Sequence, residues 1–245
     1  MLSMIFVYSM ACGPKEPVQT PEVQTEQSSA VSVVQEVRLF LDGEDLLVDW
    51  DDGDTFAATK ADGTKIKARL NGFNTLESYG PVHQWGEWTE QELYVIAKEA
   101  GTFASSKKWN CTDTKQSGGY GRILVDCPDL RKEILEAGLA HPFSVGNPAP
   151  EADLQAMQLA IENKAGMWAK GSPNWLITSL HSQDEKPEEE VYNRVCELSK
   201  GMCNEQGHHQ TFASCEKFCF EDSCMTYVPY TSRYGADKAS CLRTE

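Results

Sequence analysis

The segment RLNGFNTLE, residues 69–77, is the stretch on which the fold prediction depends. It begins inside Lys65–Leu70, one of two short strand patterns; the other is Thr55–Thr59, and the ADGT sequence between them is typical of a hairpin turn. Residues 33–50 are also strand-like, interrupted by the turn signal Asp42-Gly43. The segment therefore lies at the end of a run of predicted strands.

Three helices and a second strand pair are predicted after this segment. Thr89 and Glu92 form a capping-box pattern, and Gly138 and Gly166 are typical of residues that end a helix. The helical patterns cover residues 89–106, 129–137 and 150–164, and the strand patterns cover residues 109–112 and 122–126. Five strands with a helix between the third and the fourth predict an α+β fold built on a five-stranded OB-type β-barrel with three helices.

Three segments in this order resemble the signature segments of the staphylococcal nuclease (thermonuclease) family. They are DGDT at 52–55, RLNGFNTLE at 69–77 and YGR at 120–122. Further similarities are EAGLA at 136–140 and GMWA at 166–169. Any one segment is a weak signal, but the ordered set is specific. The resemblance implies an OB-type nuclease domain.

The chemistry of a nuclease explains the residue types in these segments. Cleavage of a phosphodiester needs positive charge at the phosphoryl oxygens and a base that deprotonates a water molecule. Arginine suits the first task because its planar fork binds phosphate through two hydrogen bonds and stays protonated. By the resemblance, Arg69 and Arg122 are catalytic residues from two different strands, and Glu77 is the general base. The implied reaction breaks the 5′ P–O bond of DNA, with RNA left open as a second substrate, and leaves 3′-phosphates.

The resemblance also implies a calcium site. Asp54 supplies a carboxylate and Thr75 its carbonyl, with Asp52 as a neighbour outside the ligand shell. The family has an aspartate where this chain has Asn74, whose amide oxygen is a ligand that Ca²⁺ accepts but carries no charge. We therefore expect weak Ca²⁺ binding. Leu76 stands where the family has a proline, so the turn that follows is expected to be looser.

A net charge of −15 restricts where this chain can bind nucleic acid. Surfaces that bind phosphate backbones are usually basic, so positive charge has to be concentrated near the site. Lys65 and Lys67 are expected to contact substrate beside the arginines, and Tyr120 is expected to stack on a base. Phe143 either stacks on a base or, the favoured interpretation, packs in the core. A weak, non-specific nuclease is predicted.

Nine cysteines are many for a protein of a reducing cytosol. Cys111 and Cys127 flank the loop of one predicted hairpin and are expected to form a disulfide, the alternative being two buried thiols. Six more follow residue 190, at spacings that do not match a C-x₂-C zinc site and that predict three disulfides: Cys196, Cys203, Cys215, Cys219, Cys224 and Cys241. Fifteen pairings are compatible with these spacings.

The N-terminus predicts export. Residues 1–12 resemble a bacterial lipoprotein signal in which Cys12 is lipidated; the alternative is a signal peptide that is removed to release a soluble protein. Residues 13–32 have the composition of a flexible tether. The nuclease-like domain covers 33–182, a charged linker 183–190, and a small disulfide-rich C-terminal domain 191–245. We expect a cell-envelope lipoprotein, on the outer membrane or cell surface, or a secreted protein.

Three functions follow from these observations. The first is a calcium-dependent nuclease. The second is an inactive lipoprotein of the same fold that acts as a binding module. In the third, the C-terminal domain is the functional part, binds an unknown envelope partner, and the barrel serves as a spacer.

Overall fold

The computed structural model describes residues 37–243, so the predicted signal, Cys12 and the tether lie outside the described residues. The described part contains three helices: α1 (Glu90–Ser105), α2 (Pro128–Glu136) and α3 (Glu151–Glu162). It also contains fifteen strands: β1 (Arg38–Leu41), β2 (Glu44–Trp50), β3 (Thr55–Thr59), β4 (Lys65–Leu70), β5 (Phe73–Thr75), β6 (His83–Trp85), β7 (Asn110–Ser117), β8 (Ile123–Asp126), β9 (Ala140–Pro142), β10 (Ser144–Val145), β11 (Trp175–Ser179), β12 (Val191–Glu197), β13 (Met202–His208), β14 (Lys217–Phe220) and β15 (Ser223–Thr226).

Six strands close into a barrel, in the order β1-β2-β3-β4-β8-β7. The pairs β1–β7 and β4–β8 are parallel, and the other neighbours are antiparallel. The structure thus confirms an α+β fold with a closed barrel and three helices, but the barrel has six strands rather than the expected five. The difference arises at Asp42 and Gly43, whose φ angles of 52° and 86° make a tight turn that divides the predicted first strand into two paired strands.

The barrel interior is filled by side chains from alternating strand positions. In β3, Phe56 and Ala58 are buried while Ala57 and Thr59 are exposed, which is the period of two that a strand with one buried face requires. Leu70 at the end of β4 belongs to the same core. The residue just before it on β4 is therefore directed away from the core, toward the surface where the candidate site lies.

Local signals position the helices as predicted. The Thr89 side chain accepts the Glu92 N–H at 3.3 Å and the Glu92 carboxylate accepts the Thr89 N–H at 3.1 Å, which completes the capping box of α1. A disulfide between Cys111 and Cys127, as predicted, ties β7 to the residue where α2 begins. The capping box thus defines the start of α1, and the disulfide ties the β7–β8 hairpin of the barrel to the start of α2.

The chain after the charged linker shares its sheets with the chain before it. Strand β12 pairs with β11, β13 pairs with β10, and β15 pairs with β6. The described residues all belong to one compact unit. The C-terminal segment is therefore packed against the part of the chain that carries the candidate site.

The six C-terminal cysteines form three disulfides, as expected, and the structure gives their connectivity. Cys196–Cys203 and Cys219–Cys224 each join residues that face one another across an antiparallel pair. Cys215–Cys241 ties the end of the chain back to the residues before β14. With Cys111–Cys127 the total among the described residues is four, and such a set indicates an oxidising, extracytoplasmic compartment.

Candidate active site

Asp54 lies in the turn between β2 and β3 and is 2% exposed. Its Oδ2 accepts the backbone N–H of Thr75 at 2.8 Å, and its Oδ1 accepts the Thr55 hydroxyl at 2.9 Å. The Asp54 N–H donates to Asp52 Oδ1 at 3.0 Å. This close approach needs Gly53, because a Cβ there would lie 2.6 Å from Thr75 Cγ2. The turn is thus held against β5 with the carboxylate inside.

Arg69, on β4, joins this turn to β5. Its Nη1 lies 3.3 Å from Asp54 Oδ1, and its Nη2 donates to the side-chain oxygen of Asn74. The Asn74 amide nitrogen donates in turn to the Thr75 carbonyl at 2.7 Å. Each of the three groups predicted to bind calcium therefore accepts a hydrogen bond from the protein.

Glu77 follows β5 and is half-buried. Burial raises the pKa of this carboxyl; the Arg233 guanidinium opposes that rise most strongly, the Asp54 carboxylate adds to it, and Arg69 and Arg122 oppose it. A glutamate in these surroundings loses its proton at a higher pH than an exposed glutamate does. Glu77 thus shares one electrostatic environment with both predicted arginines and with an arginine of the C-terminal segment.

Arg122 is the last residue of the loop between β7 and β8. Its guanidinium donates to the carbonyls of Gly118 and Gly119 at 3.2 and 3.3 Å. This loop packs on the other arginine, since a Cβ at Gly118 would lie 3.2 Å from the Arg69 Cβ. Burial and the charge of Arg69 lower the pKa of Arg122, while Asp54 raises it. The loop that carries Arg122 therefore packs against Arg69, and the charges of the two arginines act on each other.

Asp52 completes a group of three carboxyls with Asp54 and Glu77. Burial, followed by the charges of Asp54 and Glu77, raises the pKa of Asp52 well above its usual value. Because carboxyls this close resist full ionisation, Asp52 binds a proton more readily than an isolated aspartate.

Of the residues predicted to contact substrate, Tyr120 lies beside Arg122, whereas Lys65 and Lys67 share only a strand face with Arg69. Tyr120 is 82% exposed, with its ring centre 5.6 Å from Arg122 Cζ. Lys65 and Lys67 are exposed on β4, on the same side of the strand as Arg69. The Phe143 ring is half-buried, with the guanidinium groups of Arg69 and Arg194 at 5.3 and 5.7 Å. That ring borders the site.

Two buried histidines beside the site were missed by the sequence analysis. His83 Nε2 accepts the Glu77 N–H at 3.2 Å, and burial lowers the pKa of His83 to about 3. His141 pairs with Asn74 between β9 and β5, is fully buried, and has its pKa lowered to about 4 by burial. Its Nε2 has no hydrogen-bond partner within the described part of the chain. Neither histidine belongs to a spacing pattern that would have drawn attention to it.

Arg233 is the third residue missed. It follows a short helical turn, Tyr230–Ser232, near the C-terminus, outside the segments that resemble the nuclease family. Only its position in the folded chain connects it with Glu77. No signal in the sequence would have found it.

The oxygens of Asp54, Asn74 and Thr75 are the donor type that Ca²⁺ binds, and they lie side by side where β3 and β5 approach each other. They carry one negative charge among them, and Arg69 already contacts it. Between residues 37 and 243, no group of three or more His, Cys, Asp or Glu side chains is arranged to hold a metal ion. The donors fit a weak site for a hard cation, in competition with Arg69.

Comparisons with known proteins leave the site as the main guide to function. No family model matches the chain, and a search of curated proteins finds no significant match. In the part of the chain that the structure describes, every helix is too short or too polar to cross a membrane.

Proposed function

We propose that this protein is a calcium-dependent nuclease of the staphylococcal nuclease type that hydrolyses DNA, with RNA as a second substrate to be tested. The observation that carries the proposal is the arrangement of Arg69, Arg122 and Glu77. The loop that carries Arg122 packs on Arg69, and a half-buried carboxyl with a raised pKa shares the electrostatic environment of both arginines. Positive charge for a phosphate and a base for water are the two requirements of phosphodiester hydrolysis.

In the proposed reaction the arginines bind the non-bridging oxygens of the scissile phosphate. Glu77 accepts a proton from the attacking water, and its raised pKa brings the proton affinity of this base closer to neutral pH. The bond from the Glu77 N–H to His83 holds the backbone in place at that residue. Bound calcium, held by Asp54, Asn74 and the Thr75 carbonyl, would polarise the phosphate. Cleavage of the 5′ P–O bond leaves a 3′-phosphate, by the family resemblance.

The proposed location is the cell envelope. The four disulfides agree with an extracytoplasmic compartment. A lipid on Cys12, which lies outside the described residues, would anchor the protein to the membrane surface. The same location would give the C-terminal segment access to an envelope partner.

One observation favours the second candidate, a nucleic-acid-binding protein that does not cleave. Arg69 is bonded to Asp54 and Asn74, and the Asn74 amide occupies the Thr75 carbonyl. A phosphate or a cation has to compete with these bonds. If neither competes successfully, the arginines near the surface can still bind phosphate without hydrolysis.

Plasmid nicking by the purified protein, with calcium and with EGTA, distinguishes these functions. We expect nicking only with calcium and a large loss in Arg122→Ala. Arg243→Ala, which removes the same charge from an exposed position, serves as the control and is expected to nick normally. Electrophoretic retention of the plasmid without nicking would instead support the binding protein.

A further inference from the structure

The C-terminal segment packs directly on the turn that follows Glu77. Tyr79 is 5% exposed and Val82 is 1% exposed, and both belong to one apolar cluster with Val228 and Leu242. The contact is close, because a Cβ at Gly80 would lie 2.3 Å from a Leu242 methyl carbon. The C-terminal segment therefore forms part of the surroundings of the candidate base.

Arg233 and Tyr234 of this segment contact Tyr79, and Tyr230 contacts Arg233. The guanidinium carbon of Arg233 lies 4.5 Å from the Tyr79 ring centre and 5.9 Å from that of Tyr230. The Tyr234 ring meets the Tyr79 ring edge-on, with centres 6.5 Å apart. Arg233 is further fixed by a 3.1 Å bond from its Nε to the Val228 carbonyl. We refer to Tyr230, Arg233 and Tyr234 as the tyrosine–arginine cluster.

The two tyrosines of this cluster are exposed. Tyr230 is 78% and Tyr234 is 62% exposed, although both are large aromatic residues. Among the described residues they belong, with Tyr120, to a small set of exposed large hydrophobic side chains. Tyr120 borders Arg122, so exposed tyrosines accompany the candidate site at two separate points of the chain.

The cluster also shares the electrostatics of the site. Arg233 is the strongest of the charges that act on Glu77. The pKa of Tyr234 is raised by burial and then by the carboxylates of Asp51 and Glu77. Both residues therefore lie toward the carboxyl side of the site and not on a remote surface.

We propose that the tyrosine–arginine cluster is a subsite for the nucleotide next to the scissile phosphate, with a base stacked on the tyrosines and a phosphate facing Arg233. Exposed aromatic rings beside a cation are among the groups that bind single-stranded nucleic acid. In a chain with a net charge of −15, a positive charge beside exposed aromatic rings, as Arg233 is beside Tyr230, favours contact with a phosphate. The inference rests on the proposed function, because the stacked nucleobase would belong to the nucleic-acid substrate of the same site.

The test uses the full chain and an octathymidylate with a 5′ fluorescein label. In Tyr230→Ala/Tyr234→Ala, KM for cleavage should rise about fivefold or more for each lost stacking contact, with kcat little changed. The affinity for the same oligonucleotide, measured by fluorescence anisotropy in EGTA, should fall equally. Tyr230→Phe/Tyr234→Phe keeps the rings and should behave as wild type. Tyr94→Ala, a tyrosine of α1 that packs with Lys98, is the control.

The outcomes separate this inference from the proposed function. If the wild type binds the oligonucleotide without cleaving it, the nuclease proposal is wrong, and the anisotropy comparison still decides on the subsite. If the alanine variant keeps the wild-type KM and affinity, the subsite is wrong while the nuclease proposal stands. Equal losses in the alanine and phenylalanine variants would show that the tyrosine hydroxyls, not the stacked rings, bind, and would also overturn the inference. If the wild type does not bind the oligonucleotide at all, the surface serves another partner and both proposals fail.

Discussion

The turn at residues 52–55 and the C-terminal turn at residues 229–235 both act on Glu77, but they do so in different ways. The first is tied to the site by backbone geometry, through Gly53 and the bond from Thr75 N–H to Asp54. The second reaches the site only through packing, by way of Tyr79. Yet Arg233 acts on the Glu77 carboxyl more strongly than Arg69 does.

This difference shows where the electrostatic properties of the proposed general base, Glu77, arise. By our proposal, the signature segments supply the reacting groups and bring them into one electrostatic environment. The C-terminal segment supplies part of their electrostatic environment and, by our inference, part of the substrate contact. Variants that affect one region and spare the other test this division.

The largest effect is expected at Glu77 itself. Glu77→Gln keeps the size of the side chain but removes the base, so kcat for DNA cleavage should fall by about 10²- to 10⁴-fold. Steady-state kinetics measure this, with urea unfolding to show that the fold is retained. Glu87→Gln, an exposed glutamate ten residues later, is the control. Wild-type kcat in Glu77→Gln would exclude this residue as the base.

The next effect compares one disulfide from each region. Removing Cys215–Cys241, which spans 26 residues, should lower the free energy of unfolding by about 3.5 kcal/mol, and removing Cys111–Cys127, which spans 16, by about 3 kcal/mol. Serine pairs at each position and urea denaturation measure the losses. The first pair should also raise KM because it loosens the C-terminal turn, whereas the second should lower kcat because it loosens the Arg122 hairpin.

Identical kinetic changes in the two serine-pair variants would contradict the division between the regions. They would mean that both disulfides act only on global stability. The comparison should therefore be made under conditions in which both variants remain fully folded.

Much of the barrel could be predicted because its signals are local. The capping box of α1 needs only Thr89 and Glu92, which is three residues later, and both hydrogen bonds form. The Cys111–Cys127 pair lies on one hairpin and its helical continuation. The sixth barrel strand was missed because Asp42-Gly43 was interpreted as an interruption of one strand instead of a hairpin between two.

The C-terminal segment could not be predicted in the same way, because its partners are far away in the sequence. Strand β15, with four residues, pairs with β6, which has three, and both strands are too short to show a periodic pattern. The same applies to Arg233, whose relation to Glu77 exists only after β6 and β15 have paired. Long-range pairing of short strands, and hence this side of the site, has no local sequence signal.

A smaller effect is expected from pH, through His83. Its pKa is about 3 in the folded protein and near 6.5 when unfolded. The folded state therefore binds this proton only at low pH, whereas the unfolded state binds it near pH 6.5. The stability that neutral His83 contributes is fully present above pH 6.5 and is lost as pH falls. Between pH 7 and pH 5 the free energy of unfolding should drop by about 2 kcal/mol from this residue.

Urea denaturation at pH 7 and pH 5 measures this loss. His83→Gln keeps an acceptor for the Glu77 N–H but does not titrate, so the difference between the two pH values should shrink. His209→Gln, at an exposed position, should leave the difference as in the wild type. An unchanged pH dependence in His83→Gln would mean that another group is responsible.

The smallest effect is expected at Asn74, where the chain departs from the family pattern. Asn74→Asp adds a negative charge to the proposed calcium ligands and removes the amide that donates to the Thr75 carbonyl. Both changes favour a cation, while the closer pairing of Arg69 with two carboxylates opposes it. Because calcium affinity follows the charge of the ligand set, we expect about tenfold tighter binding by calorimetry and a matching fall in the calcium needed for nicking. Asn110→Asp adds the same charge at an exposed position and should change neither. If Asn74→Asp binds calcium no better than the wild type, Asn74 is not a ligand, and Asp54 would then be the only side chain among the proposed calcium ligands.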